Sequence, residues 1–255
     1  MMKKQTLVSA LVLSSMVLGA TTSYAAAGAS EGKPAKRDTA GQVFFEENDG
    51  PTVPVDPIDP EIPVLPIDPI DPEKPVEPGT DGPLSLDYAS ALNFGKQKIT
   101  SQDKVYYAAT QEVVIEGVHS QKPLYAQVTD GRGELAGWSL AVTQNGQFKT
   151  DAGVELKGAV IKFINGQEET VMESPAPSTV TSDVELVADG SASSLLMKAE
   201  KDEAAGTWIY RMGDLETMET SVQLHVPGKS TKLKEKYTTS LTWSLSTLPG
   251  TEVGE

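Results

Sequence analysis

Three tryptophans, two histidines and no cysteine bound the chemistry this chain can perform. Two of the tryptophans recur in one tripeptide form, Trp138-Ser139-Leu140 and Trp243-Ser244-Leu245. An indole either anchors an apolar core or offers a flat face to a ligand such as a sugar ring, and its N–H needs a partner when buried. On a strand, residues two apart project to the same side, so each Trp and its Leu share one face while the Ser between them points to the other. The candidate binding residues are therefore Trp138, Leu140, Trp243 and Leu245. Core anchor and exposed contact are both open for them at this level.

Catalytic alternatives have less support. His119 sits in Gly117-Val118-His119-Ser120-Gln121 and His225 on the polar face of 222–226, each without a recognisable partner, and both read as surface histidines. Carboxylates are abundant, but no motif singles out a pair with the separation a glycosidase needs. Asp130-Gly131-Arg132-Gly133-Glu134 is a turn with two acids and lacks the alternating ligands of a calcium loop. The absence of cysteine excludes thiol nucleophiles and zinc–thiolate sites. No catalytic residue, metal site or cofactor is expected, and the chain reads as a non-enzyme.

The elements that must position the tryptophans are strands. From Leu84 onward, apolar and hydroxylated residues alternate and turn signals recur, the pattern of an all-β fold, expected as a single β-sandwich domain over 84–255. Leu84, Leu86 and Tyr88 alternate in its opening strand. Segments 113–116, 124–128, 138–142, 180–187, 195–198, 207–210, 221–226 and 237–246 follow, with 154–156 and 159–164 flanking a hairpin and tight turns at Asn145-Gly146 and Asn165-Gly166. In 237–246, Tyr237, Leu241, Trp243 and Leu245 share a face opposite a row of Ser and Thr. Residues 193–205 lack a sustained helical period, which favours strand then loop. A domain of this length can bury a substantial core, and without disulfides it must do so by packing and sheet hydrogen bonds.

What precedes this domain has a different composition. Lys3 and Lys4 lead an apolar run over 7–18, too short to cross a bilayer, and Ser23-Tyr24-Ala25 supplies the small residues of a cleavage site, so 1–25 reads as a signal peptide. Residues 26–50 read as disordered, with one apolar patch at Val43-Phe44-Phe45. Residues 51–83 read as an acidic spacer, with proline at every third position from Pro51 to Pro78. Three residues make one turn of polyproline II, so the prolines line one ridge of an arm expected to reach ~80 Å. The chain carries a net charge of −15, and both the spacer and the remainder are acidic. That disfavours nucleic acid and anionic lipid, which draw on clustered Lys and Arg. No membrane insertion is expected after signal cleavage.

The segments in order, GPLSLDYASALNFGKQKIT at 82–100, Tyr106-Tyr107-Ala108, the first Trp-x-Leu, Leu156-Lys157-Gly158-Ala159, GTWIYRMGD at 206–214, SVQLHVPG at 221–228 and YTTSLTWSLSTLPG at 237–250, resemble the WxL domain of Gram-positive surface proteins. The resemblance implies a secreted protein held non-covalently on the cell wall, with peptidoglycan or a wall-associated protein as partner, in assemblies with other WxL-family surface proteins. Of the family's pattern, only Trp138, Leu140, Trp243 and Leu245 inherit a role. Other readings are a carbohydrate-binding or host-adhesion module, and a non-catalytic subunit of a wall-associated polysaccharide-processing assembly. Leu248-Pro249-Gly250-Thr251 resembles a sortase signal, but Glu252 stands where glycine is required and no hydrophobic segment with a basic tail follows, so covalent anchoring is not expected.

Overall fold

The computed structural model describes residues 36–247; the signal segment 1–25 and the Leu248-Pro249-Gly250-Thr251 stretch lie outside the described residues. Residues 36–44 carry no regular element and are exposed. From Phe45 the chain forms one compact unit. It is all-β, with no helix among the described residues.

Fifteen strands are formed there. The first five are β1 (Leu65–Pro66), β2 (Leu84–Ala89), β3 (Lys104–Tyr107), β4 (Gln111–Ile115) and β5 (Val118–Lys122). Next come β6 (Leu124–Asp130), β7 (Trp138–Gln144), β8 (Val160–Phe163), β9 (Gly166–Glu169) and β10 (Thr179–Val180). The last are β11 (Val184–Glu185), β12 (Ser194–Ala199), β13 (Gly206–Met212), β14 (Val222–Val226) and β15 (Leu241–Ser246). Strand then loop is what 193–205 forms, β12 followed by the turn at Lys201-Asp202.

All pairings are antiparallel, in four small sheets ordered β1-β4-β5, β10-β12-β7-β15, β11-β8-β14-β3 and β2-β6-β13-β9. The all-β class is as expected, and the correction is that the strands fall into four small sheets and not one clear sandwich. The reason lies in breaks that send successive strands into different sheets. Residues 180–187 split into β10 and β11, which belong to different sheets, and β8 and β9 leave the Asn165-Gly166 turn into different sheets. Gly166 is required where it stands, because a Cβ there would collide with the Tyr210 hydroxyl, which donates to the Thr181 carbonyl at 2.7 Å.

One main core gathers the three four-stranded sheets. Leu124, Ala126 and Val128 of β6, Trp138, Leu140 and Val142 of β7, Ile161 and Phe163 of β8, Trp208, Tyr210 and Met212 of β13, and Val222, Leu224 and Val226 of β14 all face it, with the period of two that strands demand. β2 departs from that period. Its register shifts between Leu86 and Tyr88, so Leu84 and Leu86 pack on the main core while Tyr88 turns to a second cluster with Tyr125 and Ile209. The expected one-face alternation of Leu84, Leu86 and Tyr88 is thus broken by a β-bulge, which flips every later side chain to the other face.

The proline-rich segment supplies the other large correction. In place of a free extended arm, residues 51–78 lie on the domain as a strap. β1 pairs with β4, Val55 bridges Pro63 across a turn, and Val55 and Val76 pack on Tyr88, Tyr125 and Ile209. Asp56 is buried against Lys122 of β5, Nζ to Oδ2 2.5 Å. Gln127 of β6 accepts the Val55 N–H on Oε1 at 2.8 Å and donates Nε2 to the Val53 carbonyl at 3.0 Å. Polyproline II has no internal hydrogen bonds, so its backbone groups stay available for such contacts.

Candidate functional site

β7 occupies an interior position of its sheet, between β12 and β15. The antiparallel register sets Leu245 opposite Leu140, Ser244 opposite Ala141 and Trp243 opposite Val142. The two Trp-x-Leu tripeptides, distant in the chain, thus lie side by side on neighbouring strands. Residues directly opposite project to the same face, so Trp138, Leu140 and Val142 of β7 and Leu241, Trp243 and Leu245 of β15 form one apolar surface, turned to the main core.

The two tryptophans are not equivalent. Trp138 is fully buried, and its Nε1 donates to the Ala204 carbonyl at 3.1 Å. Leu140 is fully buried beside it. Trp243, on the edge strand, is half-buried and stacks nearly parallel on Phe163 of β8, ring centroids 6.3 Å apart at 10°. That contact ties two sheets together. Leu245 is also half-buried.

The third tryptophan, overlooked by the motif, completes the arrangement. Trp208 of β13 is buried and donates Nε1 to the Ala205 carbonyl at 3.0 Å, so consecutive carbonyls satisfy two indoles. Ala204 holds its place at φ 49°, a left-handed conformation rare for alanine. The signal for Trp208 was present in the alternation Trp208, Tyr210, Met212, but no Leu follows at the second position.

On the opposite face of the sheet, Ser139, Ala141 and Thr143 of β7 stand across from Ser246, Ser244 and Thr242 of β15. Asn145 donates Nδ2 to Ser240 Oγ at 3.1 Å and to Thr242 Oγ1 at 2.9 Å, and Thr143 and Ser193 hydroxyls meet at 2.8 Å. The one cation of β12, Lys198, is paired with Glu200 at 2.6 Å. On this face Ser139 and Ala141 are buried, and the exposed groups are the Thr242 hydroxyl and the Asn145 amide at the β15 edge.

The residues weighed for catalysis fall apart in space. His119 of β5 meets Glu112 of β4 at 2.5 Å, exposed on the three-stranded sheet. His225 contacts Gln223 Oε1 at 2.7 Å, and burial, with Lys162 nearby, pulls its imidazole below the ordinary range. Asp130 is held by Arg132 through both oxygens, Nε to Oδ1 2.9 Å and Nη2 to Oδ2 2.7 Å, so the Asp130–Glu134 turn is closed by an ion pair. Asp87 lies under the strap; burial pushes its carboxyl up, against hydrogen bonds from Ser85, Thr129 and Gln127. Among the described residues no cluster of three or more His, Asp or Glu side chains could hold a metal ion.

The family described as WxL domain surface cell wall-binding matches residues 32–249, and with them both Trp-x-Leu tripeptides and the whole strap. The chain belongs to this family. It is a protein of the cell wall surface, and among the described residues no helix is long and apolar enough to cross a membrane. No curated protein and no solved structure matches the chain.

Proposed function

We propose that this WxL protein is a non-enzymatic attachment module that grips the wall without a covalent bond, within a surface assembly, and that the four motif side chains act by building the gripping sheet. The observation that carries this reading is the pairing of the two Trp-x-Leu tripeptides on β7 and β15 with their large side chains turned inward. Such a sheet keeps Ser139 and Ala141 of β7 covered and turns Thr242 and Ser244 of its edge strand β15 toward solvent, stiffened from behind by Trp138, Leu140 and Trp243. Peptidoglycan, with its hydroxyls and amides, suits that face.

Charge sets the terms of the contact. At −15 the chain is repelled at long range by an anionic wall, so retention depends on short-range hydrogen bonds and packing. The test is sedimentation of the mature chain with purified peptidoglycan, stripped of accessory anionic polymers and of proteins, beside intact walls. Direct glycan attachment requires binding to both preparations. Binding to intact walls alone would assign the contact to a companion surface protein, and binding to neither would overturn wall attachment by this chain. Release of soluble sugars or peptides from either preparation would overturn the non-enzymatic reading.

A further inference from the structure

The cations of this acidic chain are segregated. Lys74, Lys122, Arg132, Lys162, Lys198 and Arg211 each sit against a carboxylate. A different arrangement holds at three loops, 96–104, 155–158 and 227–236. They carry eight lysines against three carboxylates, Asp103, Glu155 and Glu235, and no arginine. None of these lysines lies within ion-pair distance of a carboxylate among the described residues.

Folding draws the three loops together. The Gly228 N–H donates to Asp103 Oδ1 at 2.7 Å, and a Cβ on Gly228 would collide with the Ser101 and Gln102 backbone. The register of β14 on β3 sets Val226 opposite Lys104. Ser230 Oγ donates to the Lys157 carbonyl at 2.5 Å, and Gly158 sits against the Pro227 ring. Whole-chain charge averages over this cluster, because its lysines come from segments far apart in the sequence.

Lys232 closes the third loop on itself. Its half-buried ammonium donates to the carbonyls of Pro227 at 2.9 Å, Ser230 at 3.1 Å and Gly228 at 3.4 Å. An ammonium has three donors, so all of them meet neutral acceptors and the charge keeps no counter-ion among the described residues. Lys96, Lys98 and Lys104 of the first loop, Lys157 of the second, and Lys229, Lys234 and Lys236 of the third are exposed. Arginine forks match carboxylates through two oxygens, as Arg132 does on Asp130, whereas lysine is a compact point charge that suits phosphate. A surface built of lysines alone, pinned through the backbone and short of counter-ions, fits a flexible chain that carries phosphate at intervals.

We propose that the lysine surface of loops 96–104, 155–158 and 227–236 binds a phosphodiester polymer of the cell wall, a contact that uses none of the Trp-x-Leu residues. The net charge of −15 does not oppose it at close range. At about 0.15 M ionic strength, charges beyond ~8 Å are screened, so a polymer lying on the lysines keeps its nearest partners and is shielded from acidic groups farther off.

The test is calorimetric titration of the mature chain with soluble poly(glycerol phosphate) at about 0.15 M salt. Saturable binding that weakens as salt rises further is expected, because each neutralised phosphate releases counterions. Lys98→Glu/Lys229→Glu should weaken it by about tenfold or more, the scale of two lost lysine contacts. Lys36→Glu/Lys201→Glu changes the net charge equally at two exposed lysines outside the loops, and screening should hold its affinity within about twofold of the unmodified chain. All four side chains are exposed, so both double variants should fold. No saturable binding, or equal weakening in the two double variants, overturns the proposal. Tighter binding to polyglutamate, to single-stranded DNA of equal phosphate content or to vesicles of anionic lipid overturns the assignment to a phosphodiester wall polymer. The soluble polymer contains no peptidoglycan, so this contact and glycan attachment fail separately.

Discussion

Trp138→Ala is the change that separates a structural role for the motif from a direct contact with the wall. Trp138 has no exposed surface, so the substitution removes a whole indole from the centre of the main core. Large aromatic truncations at such sites cost about 3–5 kcal/mol, because lost burial and the residual cavity add. The Ala204 carbonyl also loses its donor, Trp138 Nε1 at 3.1 Å, within that range. In a domain of this size about 1 kcal/mol moves the midpoint by roughly 2–4 °C, so the melting temperature should fall by roughly 10 °C. Trp243→Ala should cost less, about 2 kcal/mol, since the ring is half-buried and its chief partner is Phe163. Trp138→Phe, which keeps most of the apolar volume, should fall between the unmodified protein and Trp138→Ala. The assay is calorimetric melting of all three, paired with wall sedimentation well below each midpoint and scored per folded molecule. Binding per folded molecule should hold for Trp138→Ala while the melting temperature drops. Unchanged melting with lost binding would refute the inward placement, and a larger loss for Trp243 than for Trp138 would refute the burial argument.

Other expectations follow from the strap, the charge and the titrating groups. A reporter fused to residues 45–247 should stay on the wall, whereas one beginning at Leu84 should be less stable and less soluble, because Tyr88, Tyr125 and Ile209 lose their cover; equal melting of the two would contradict the strap's role. Lys122→Ala leaves Asp56 buried without its cation and should destabilise by about 3–5 kcal/mol, while the double change with Asp56→Ala should recover much of that loss in denaturant titrations. Retention on intact walls should rise as salt goes from about 0.01 M to about 0.15 M, because screening weakens long-range repulsion; a fall would point to ion pairing as the contact. The His225 imidazole is held below its ordinary value of 6.5, so the unfolded chain takes up the proton first. Stability should therefore be full above that value and decline as pH falls through it, and His225→Asn should flatten this limb of a pH–melting curve.

The sequence alone determined what is local. Period-two alternation marked most strands, because a strand's side-chain geometry is written residue by residue, and Val222, Leu224 and Val226 face the core as that alternation demands. The Trp-x-Leu spacing likewise determined that each Trp and Leu share a face. Tertiary structure decided which face meets water and which strands meet each other. The pairing of β7 with β15 joins residues far apart in the chain, so no local pattern records it. The β2 bulge, one residue out of register, sent Tyr88 to a different core, and pattern reading assumes an unbroken register. Proline at every third position spoke for an extended backbone, and an extended backbone is equally suited to standing free or lying along a sheet. What settled it was a long-range ion pair between Asp56 and Lys122 and the reach of Gln127, contacts that exist only once the domain has folded beneath the strap.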